Sequence, residues 1–225
     1  MNHIVTTTLF STAFFPPVSY LAALIKADHI FIENYETYPK QTFRNRCIIL
    51  SSNGLQRLTV PIVKTEGNHT KTNEIQIVYK ENWQQKHLRA IESSYNTSPY
   101  YYHYKHQFIE LFSQKFSTLT DLNIKALELI LKLLKLQKTI FSTENYEKYP
   151  SDKIDLRNVF SPKRRPQNIQ FETYYQVFND RFAFQPDLSV LDLLFNTGPA
   201  SLDYLLRIGR QISFRVGNTD MVNIE

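Results

Sequence analysis

The stretch from Tyr35 to Val63 constrains the fold more than any other part of the chain, because a charged, amide-rich run leads directly into two apolar segments. Lys40, Gln41, Arg44, Asn45 and Arg46 place three cations and two amides immediately before Cys47-Ile48-Ile49-Leu50. Read as a strand from Thr42 to Ser51, period two puts Phe43, Asn45, Cys47 and Ile49 on one face and Arg44, Arg46, Ile48 and Leu50 on the other. Both faces then read as buried. A guanidinium held against packed aliphatics requires a carboxylate or a bound anion, since an uncompensated buried charge costs several kcal/mol. Glu33 and Glu36, just upstream, are the nearest candidate partners, with a solvated turn of surface pairs as the equal alternative. Ser52-Asn53-Gly54, between Ile48-Ile49-Leu50 and Leu58-Thr59-Val60, marks a hairpin, because Asn-Gly tolerates the positive φ of a tight turn.

With 225 residues and 42% hydrophobic content the chain can bury a substantial core, and a single domain is the expectation. Only five glycines are present, and neither a P-loop nor a GxGxxG fingerprint occurs. The net charge of +5 favours anionic partners in general. Cys47 is the single cysteine, which excludes an internal disulfide and fits a reducing compartment, so a cytoplasmic location is expected. The N-terminal MNHIVTTTLFSTAFFPPVSY has no cation ahead of its apolar run and carries Pro16-Pro17, and it does not read as a signal peptide. Around Leu119 to Leu136, Asp121, Lys125, Glu128, Lys132 and Lys135 form one polar stripe, so this helix is expected to be amphipathic and not membrane-spanning.

The predicted fold is mixed α/β: a β-rich N-terminal half with an inserted helix, and a helical C-terminal half packed on the sheet. Strands are expected at His3 to Phe10, His29 to Asn34, on both sides of the Asn53-Gly54 turn, and at Glu74 to Tyr79, with a helix capped by Ser19 between the first two. From Asn82 the period becomes helical, and Trp83, His87, Ala90, Ile91 and Ser94 share one stripe. His87 therefore faces inward, as a general base beside Lys86 or as a core histidine bonded to a carbonyl or a tyrosine hydroxyl. Ser98-Pro99 opens a helix crowded with Tyr101, Tyr104, Phe108 and Phe112, which fit a core stripe better than a base-stacking surface, and His103 with His106 lack a third metal ligand. Lys138 to Thr143 suggests a strand, Glu144 to Gln170 a polar region with the basic run Lys163-Arg164-Arg165, and Phe171 to Phe178 a strand or short helix. Asp192, among leucines, either answers Arg44, Arg46 or His87, or completes a capping box with Ser189. Thr197-Gly198-Pro199 separates two terminal helices. The domain is expected to span 1–208, with 209–225 a tail.

Taken in order, Phe14-Phe15-Pro16-Pro17-x-x-Tyr20, Lys26-Ala27-Asp28, Tyr38 to Cys47, Leu58-Thr59-Val60-Pro61, Trp83-x-x-Lys86-His87-x-x-Ala90-Ile91, Tyr95-x-x-Ser98-Pro99, Leu119-x-Asp121-Leu122-Asn123 and Leu188-Ser189-x-x-Asp192-Leu193-Leu194-Phe195-Asn196-x-Gly198-Pro199 resemble the WbqC-like protein family. The likeness runs to about Leu205. It implies a cytoplasmic protein of surface-polysaccharide biosynthesis, such as lipopolysaccharide, that attaches an amino acid or acyl group to an amino sugar. Many relatives carry His-Gln-Pro where this chain has Thr12-Ala13-Phe14.

The expected function is thus an N-acyl- or aminoacyltransferase acting on a nucleotide-linked amino sugar. Its catalytic pair would be His87 and Asp192, and its substrate-binding residues Lys40, Gln41, Arg44, Asn45, Arg46, Lys86 and Asn196. Cys47 as a covalent acyl carrier is the weaker reading beside a buried cysteine. No permanently bound cofactor or metal is expected; the acyl donor would be a coenzyme A thioester or an aminoacyl donor. The partner is a small anionic substrate, not a specific nucleic acid, with a homo-oligomer left open. The alternative is a non-catalytic protein that recognises an anionic metabolite or a partner enzyme through the same cations.

Overall fold

A computed structural model describes residues 7–163 and 168–213. The elements run β1 (Thr7–Ser11), α1 (Val18–Lys26), β2 (His29–Glu33), β3 (Arg46–Ser51), β4 (Gly54–Thr59), β5 (Ile62–Val63), β6 (Gln76–Ile77), α2 (Trp83–Tyr95), α3 (Tyr101–Ser113), α4 (Leu119–Leu133), β7 (Ile140–Ser142), β8 (Ile154–Asp155), α5 (Val190–Thr197) and α6 (Ser201–Arg210). This is a mixed α/β domain. Its centre is a parallel sheet in the order β7-β2-β1-β8, with β3–β4 and β5–β6 as separate antiparallel pairs. All four central strands point the same way, so Ser11, Glu33, Ser142 and Asp155 end on one edge.

Alternation divides the central sheet into two unlike faces. Phe10, Ile30 and Ile32 point into the core and are essentially inaccessible, whereas Leu9, Phe31 and Phe141 share the other face and Phe141 is 41% exposed. On the core side Phe14, Phe15, Phe108, Phe112 and Phe195 pack ring against ring, with neighbouring centroids 4.7–6.4 Å apart. Burying each such ring contributes about 2–3 kcal/mol.

Helix α1 is buried along its whole length except Lys26, and it needs cover from the end of the chain. Helix α6 supplies it through Gly209, where an added Cβ would stand 3.2 Å from the Ala22 carbonyl oxygen. The start of α1 is not capped by Ser19 as the sequence suggests. Instead the Asp187 carboxylate accepts the Ser19 amide at 2.8 Å and its hydroxyl at 2.9 Å, so a residue 168 positions away caps the helix. The same segment bonds Val18 N–H to the Leu188 carbonyl, and Ser189 N–H to Ile48 of β3.

Several expectations require correction. The strand in the cationic run begins at Arg46, not Thr42: Gln41 adopts a left-handed φ of 59° and the chain turns through Thr42 to Asn45. Arg44 and Arg46 therefore do not alternate on one strand face. The strand expected over Glu74 to Tyr79 shrinks to β6, while Phe171 to Phe178 forms no strand or helix. The polar Glu144 to Gln170 region contains β8, an edge of the central sheet. Helix α6 continues through Arg210 and Ile212 is buried. His3 to Thr6 of the expected first strand, Arg164 and Arg165 of the basic run, and 214–225 of the expected tail lie outside the described residues.

Candidate functional site

The carboxyl edge of a parallel sheet is where crossovers leave room for a ligand, and here the strand order switches sides at β1, with β2 and β7 added on one side and β8 on the other. Arg157, just past β8, is 3% exposed and lies at that edge. Its Nε and Nη2 fork onto Asp155 at 2.9 and 2.6 Å, Nη1 reaches Glu33 at 3.1 Å, and the carbonyls of Glu147 and Lys148 take the remaining hydrogens. All five donors are used. The clasp ties β8 to β2 and to the loop after β7, and leaves Arg157 nothing with which to bind a ligand.

Above this clasp lies a cleft of about 310 Å3, lined by Leu9, Phe31, Glu33, Phe141, Ser142, Thr143, Glu144, Asn145, Glu147 and Lys153. Its floor is the Phe31–Phe141 pair, stacked at 5.1 Å and 24°. Glu33 is fixed on every side: it accepts the Tyr35 amide at 2.7 Å and the Thr143 hydroxyl at 3.0 Å besides pairing with Arg157. Lys153 pairs with Glu147 at 3.4 Å. Glu144 makes no ion pair among the described residues, so it is the one cleft carboxylate without a cationic partner.

From Glu33 a row of charge continues along the loop after β2. Glu36, 8% exposed, receives Nε and Nη2 of Arg44 on one oxygen at 2.9 and 2.5 Å. This is the acidic partner expected for the run. Burial raises the Glu36 pKa, and the adjacent Arg44 opposes that rise. Next comes Tyr38, 4% exposed, whose hydroxyl has no hydrogen-bond partner and whose pKa burial pushes up to about 12, with Arg44 and Arg46 pulling it down. The buried Nε of Arg46 is also unpartnered. Arg46 is depressed by partial burial first and by neighbouring Arg57 second.

The structure separates the other expected site residues from this row. His87 sits in an aromatic cage, its ring 5.1 Å from Trp83, 5.8 Å from Phe14 and 6.0 Å from Phe112. Burial pushes its pKa down to about 4, against a hydrogen bond to the Thr59 backbone, so it is neutral at pH 7; its Nδ1 has no partner. Asp192 does not answer Arg44, Arg46 or His87, nor does its carboxylate close a capping box. It accepts from the Tyr95 hydroxyl at 3.0 Å, the Tyr174 hydroxyl at 2.8 Å and the Gln176 amide at 2.8 Å, while Ser189 alone caps α5. Burial pushes Asp192 up to about 6 despite those three donors.

The remaining residues divide by exposure. Asn196 is buried, donating to the Asp192 carbonyl with its own Oδ1 unpartnered, and Asn45 donates to the Val60 carbonyl and extends the β3–β4 pairing. Lys86 is exposed and pairs with Glu81 at 3.6 Å, and Lys40 and Gln41 are exposed on the turn. Cys47 is buried, bonded to Ser189 and pushed up to about 12 by burial, so it carries no thiolate at neutral pH. Among the described residues no group of three His, Cys, Asp or Glu could hold a metal, and no helix is long and apolar enough to cross a membrane.

Sequence reasoning named neither Arg157, Glu144 nor the Phe31–Phe141 floor. The aromatic at the same register of β2 and β7 was the available signal, but register is invisible before the sheet order is known.

Residues 12–165 match the WbqC-like protein family. The chain is also 23% identical over 217 residues to the uncharacterized protein Rv1507c of Mycobacterium tuberculosis, covering 85% of this chain and 94% of that one. No solved structure matches.

Proposed function

The chain belongs to the WbqC-like protein family, and on that premise we propose that it transfers an acyl or aminoacyl group to the amine of a nucleotide-linked amino sugar. The observation that carries this reading is the cleft at the carboxyl edge, with its stacked Phe31–Phe141 floor beneath carboxylates. An aromatic floor packs against the apolar face of a pyranose, and carboxylates take its hydroxyl and ammonium hydrogens. Glu144, the carboxylate without a cation, is the group assigned to the sugar amine. In the reaction the amine nitrogen bonds to the acyl carbon as the thioester or ester bond of the donor breaks, and Glu144 accepts the released proton. Lys40 and Arg46 keep the anion-holding role that the sequence suggests, whereas Arg44 is buried and answered by Glu36. His87 and Asp192 are assigned structural roles, because neither reaches the cleft. The surface-polysaccharide setting rests on the family resemblance.

Calorimetric titration of the whole chain with nucleotide-linked amino sugars, followed by coenzyme A thioesters and aminoacyl donors with product mass as readout, tests this. Heat with the sugar, a product mass shifted by the acyl group, and loss of both in Phe141→Ser are expected. Sugar binding untouched by Phe141→Ser and Glu144→Gln would remove the cleft from the mechanism. One observation favours a second reading, recognition without turnover: the two residues best suited to acid–base chemistry, His87 and Asp192, are both held elsewhere in the core. Binding with no product from any donor would select it.

A further inference from the structure

Beyond the cleft, a second cluster of polar groups is left incomplete by the fold. Register pairs Arg46 with Thr59 and Ile48 with Arg57, so Arg46 and Arg57 are diagonal neighbours on one face of the β3–β4 hairpin. Lys64 donates to the Tyr38 carbonyl at 3.3 Å and holds its ammonium 5.1 Å from the centre of the Tyr38 ring. Lys40 is close enough to Lys64 to depress it further, after partial burial. Among the described residues none of Lys40, Arg46, Arg57 and Lys64 is paired with a carboxylate. Arg57 repels Arg46 and Lys40 repels Lys64, and Glu36 is already bonded to Arg44.

Two donors point to what completes the cluster. The Tyr38 hydroxyl is buried and stays protonated, with no acceptor, and the buried Nε of Arg46 has none either. A buried donor left unmade is costly, so both await an acceptor that the chain does not supply. We infer that Arg46, Arg57, Lys64 and Tyr38 form a site for the diphosphate of a nucleotide-linked ligand, with Lys40 at its rim. A diphosphate offers several charged oxygens at the spacing that a guanidinium fork and a hydroxyl can share, and it relieves the repulsion among the cations. The assignment of that diphosphate to a sugar nucleotide rests on the transferase reading; the oxyanion site rests on the unpaired donors alone. The charge row from Glu144 and Glu33 through Glu36–Arg44 to Arg46 then runs from an end suited to an amine to an end suited to phosphate.

The test is calorimetric titration of the full chain with inorganic pyrophosphate and with uridine diphosphate at low salt. One site is expected, with uridine diphosphate bound at least as tightly. Arg57→Gln and Lys64→Gln should each weaken it about tenfold, and Tyr38→Phe about fivefold, as loss of a charge-assisted or neutral hydrogen bond implies. Tyr38→Phe should keep or raise the thermal midpoint, which separates a binding role from a folding role, and Lys125→Gln on α4 should bind as the unaltered chain does. Silence toward pyrophosphate, or binding unchanged in Arg57→Gln and Lys64→Gln, overturns the site. Preference for a DNA or RNA oligonucleotide over uridine diphosphate overturns the small-ligand assignment. Pyrophosphate binding through these residues without sugar turnover sinks the transferase reading alone. Turnover of the sugar nucleotide with affinity indifferent to these substitutions sinks the phosphate site alone.

Discussion

Arg157 and Arg46 lie on adjoining stretches of the same charge row and are finished in opposite ways. Arg157 has every hydrogen on a carboxylate or a carbonyl of its own chain, whereas Arg46 has a buried Nε with no acceptor and another cation beside it. Internal completion marks a structural tie; a buried donor left without an acceptor marks a place where something else is expected. The Asp192 network belongs with the first kind, since Tyr95, Tyr174 and Gln176 fill its carboxylate.

Substitutions at the completed sites should be the most damaging. Arg157→Ala strands Glu33, which is 0% exposed, and should cost about 3–5 kcal/mol in denaturant unfolding. A cost under about 1 kcal/mol would break the contrast at its strongest point. Asp192→Ala leaves two hydroxyls and an amide without their acceptor, and about 2–4 kcal/mol should be lost.

Acidity separates two buried groups by sign. Asp192 has a folded pKa of about 6, above its unfolded value, so its contribution is fully present below about pH 4 and is lost as pH rises through 6. His87 has a folded pKa of about 4, below its unfolded value, so its contribution is present above about pH 6.5 and is lost as pH falls through 4. Between pH 4 and 6 the two slopes oppose each other. Unfolding titrations of Asp192→Asn should therefore show stability falling more steeply on acidification than in the unaltered chain, by about 2–3 kcal/mol over that interval. An unchanged slope would mean that Asp192 is not held at its raised value. At the incomplete end, Tyr38→Phe and Arg57→Gln should shift stability by less than about 0.5 kcal/mol without ligand, since no internal bond is removed.

Sequence periodicity located α2 and α4, because each buries one face and announces it within a dozen residues, while the hairpin and α5 were marked by their punctuation, Asn53-Gly54 and Thr197-Gly198-Pro199. The Glu36–Arg44 pair was legible for a related reason: an arginine among aliphatics demands a carboxylate, and one lay eight positions upstream. Strand β8 was not legible, since Ile154-Asp155 is two residues in a polar region and its pairing with β1 spans more than 140 positions. Arg157 was lost with it. Inward-facing His87 was read correctly in direction, but its surroundings come from Phe14 and Phe112, on parts of the chain that periodicity within one helix cannot bring together.

The capping of α1 by Asp187 has a consequence for the order in which the chain is assembled. Helix α1 is buried on nearly every side, and both its cap and its cover come from far along the chain, with Asp187 168 positions after Ser19 and α6 later still. Contacts of that span are slow to close, and until they do β1 and α1 stay exposed to aggregation. Nascent chains halted before Asp187 should thus remain protease-sensitive over residues 7–33, and protection should appear only when the α6 segment has emerged.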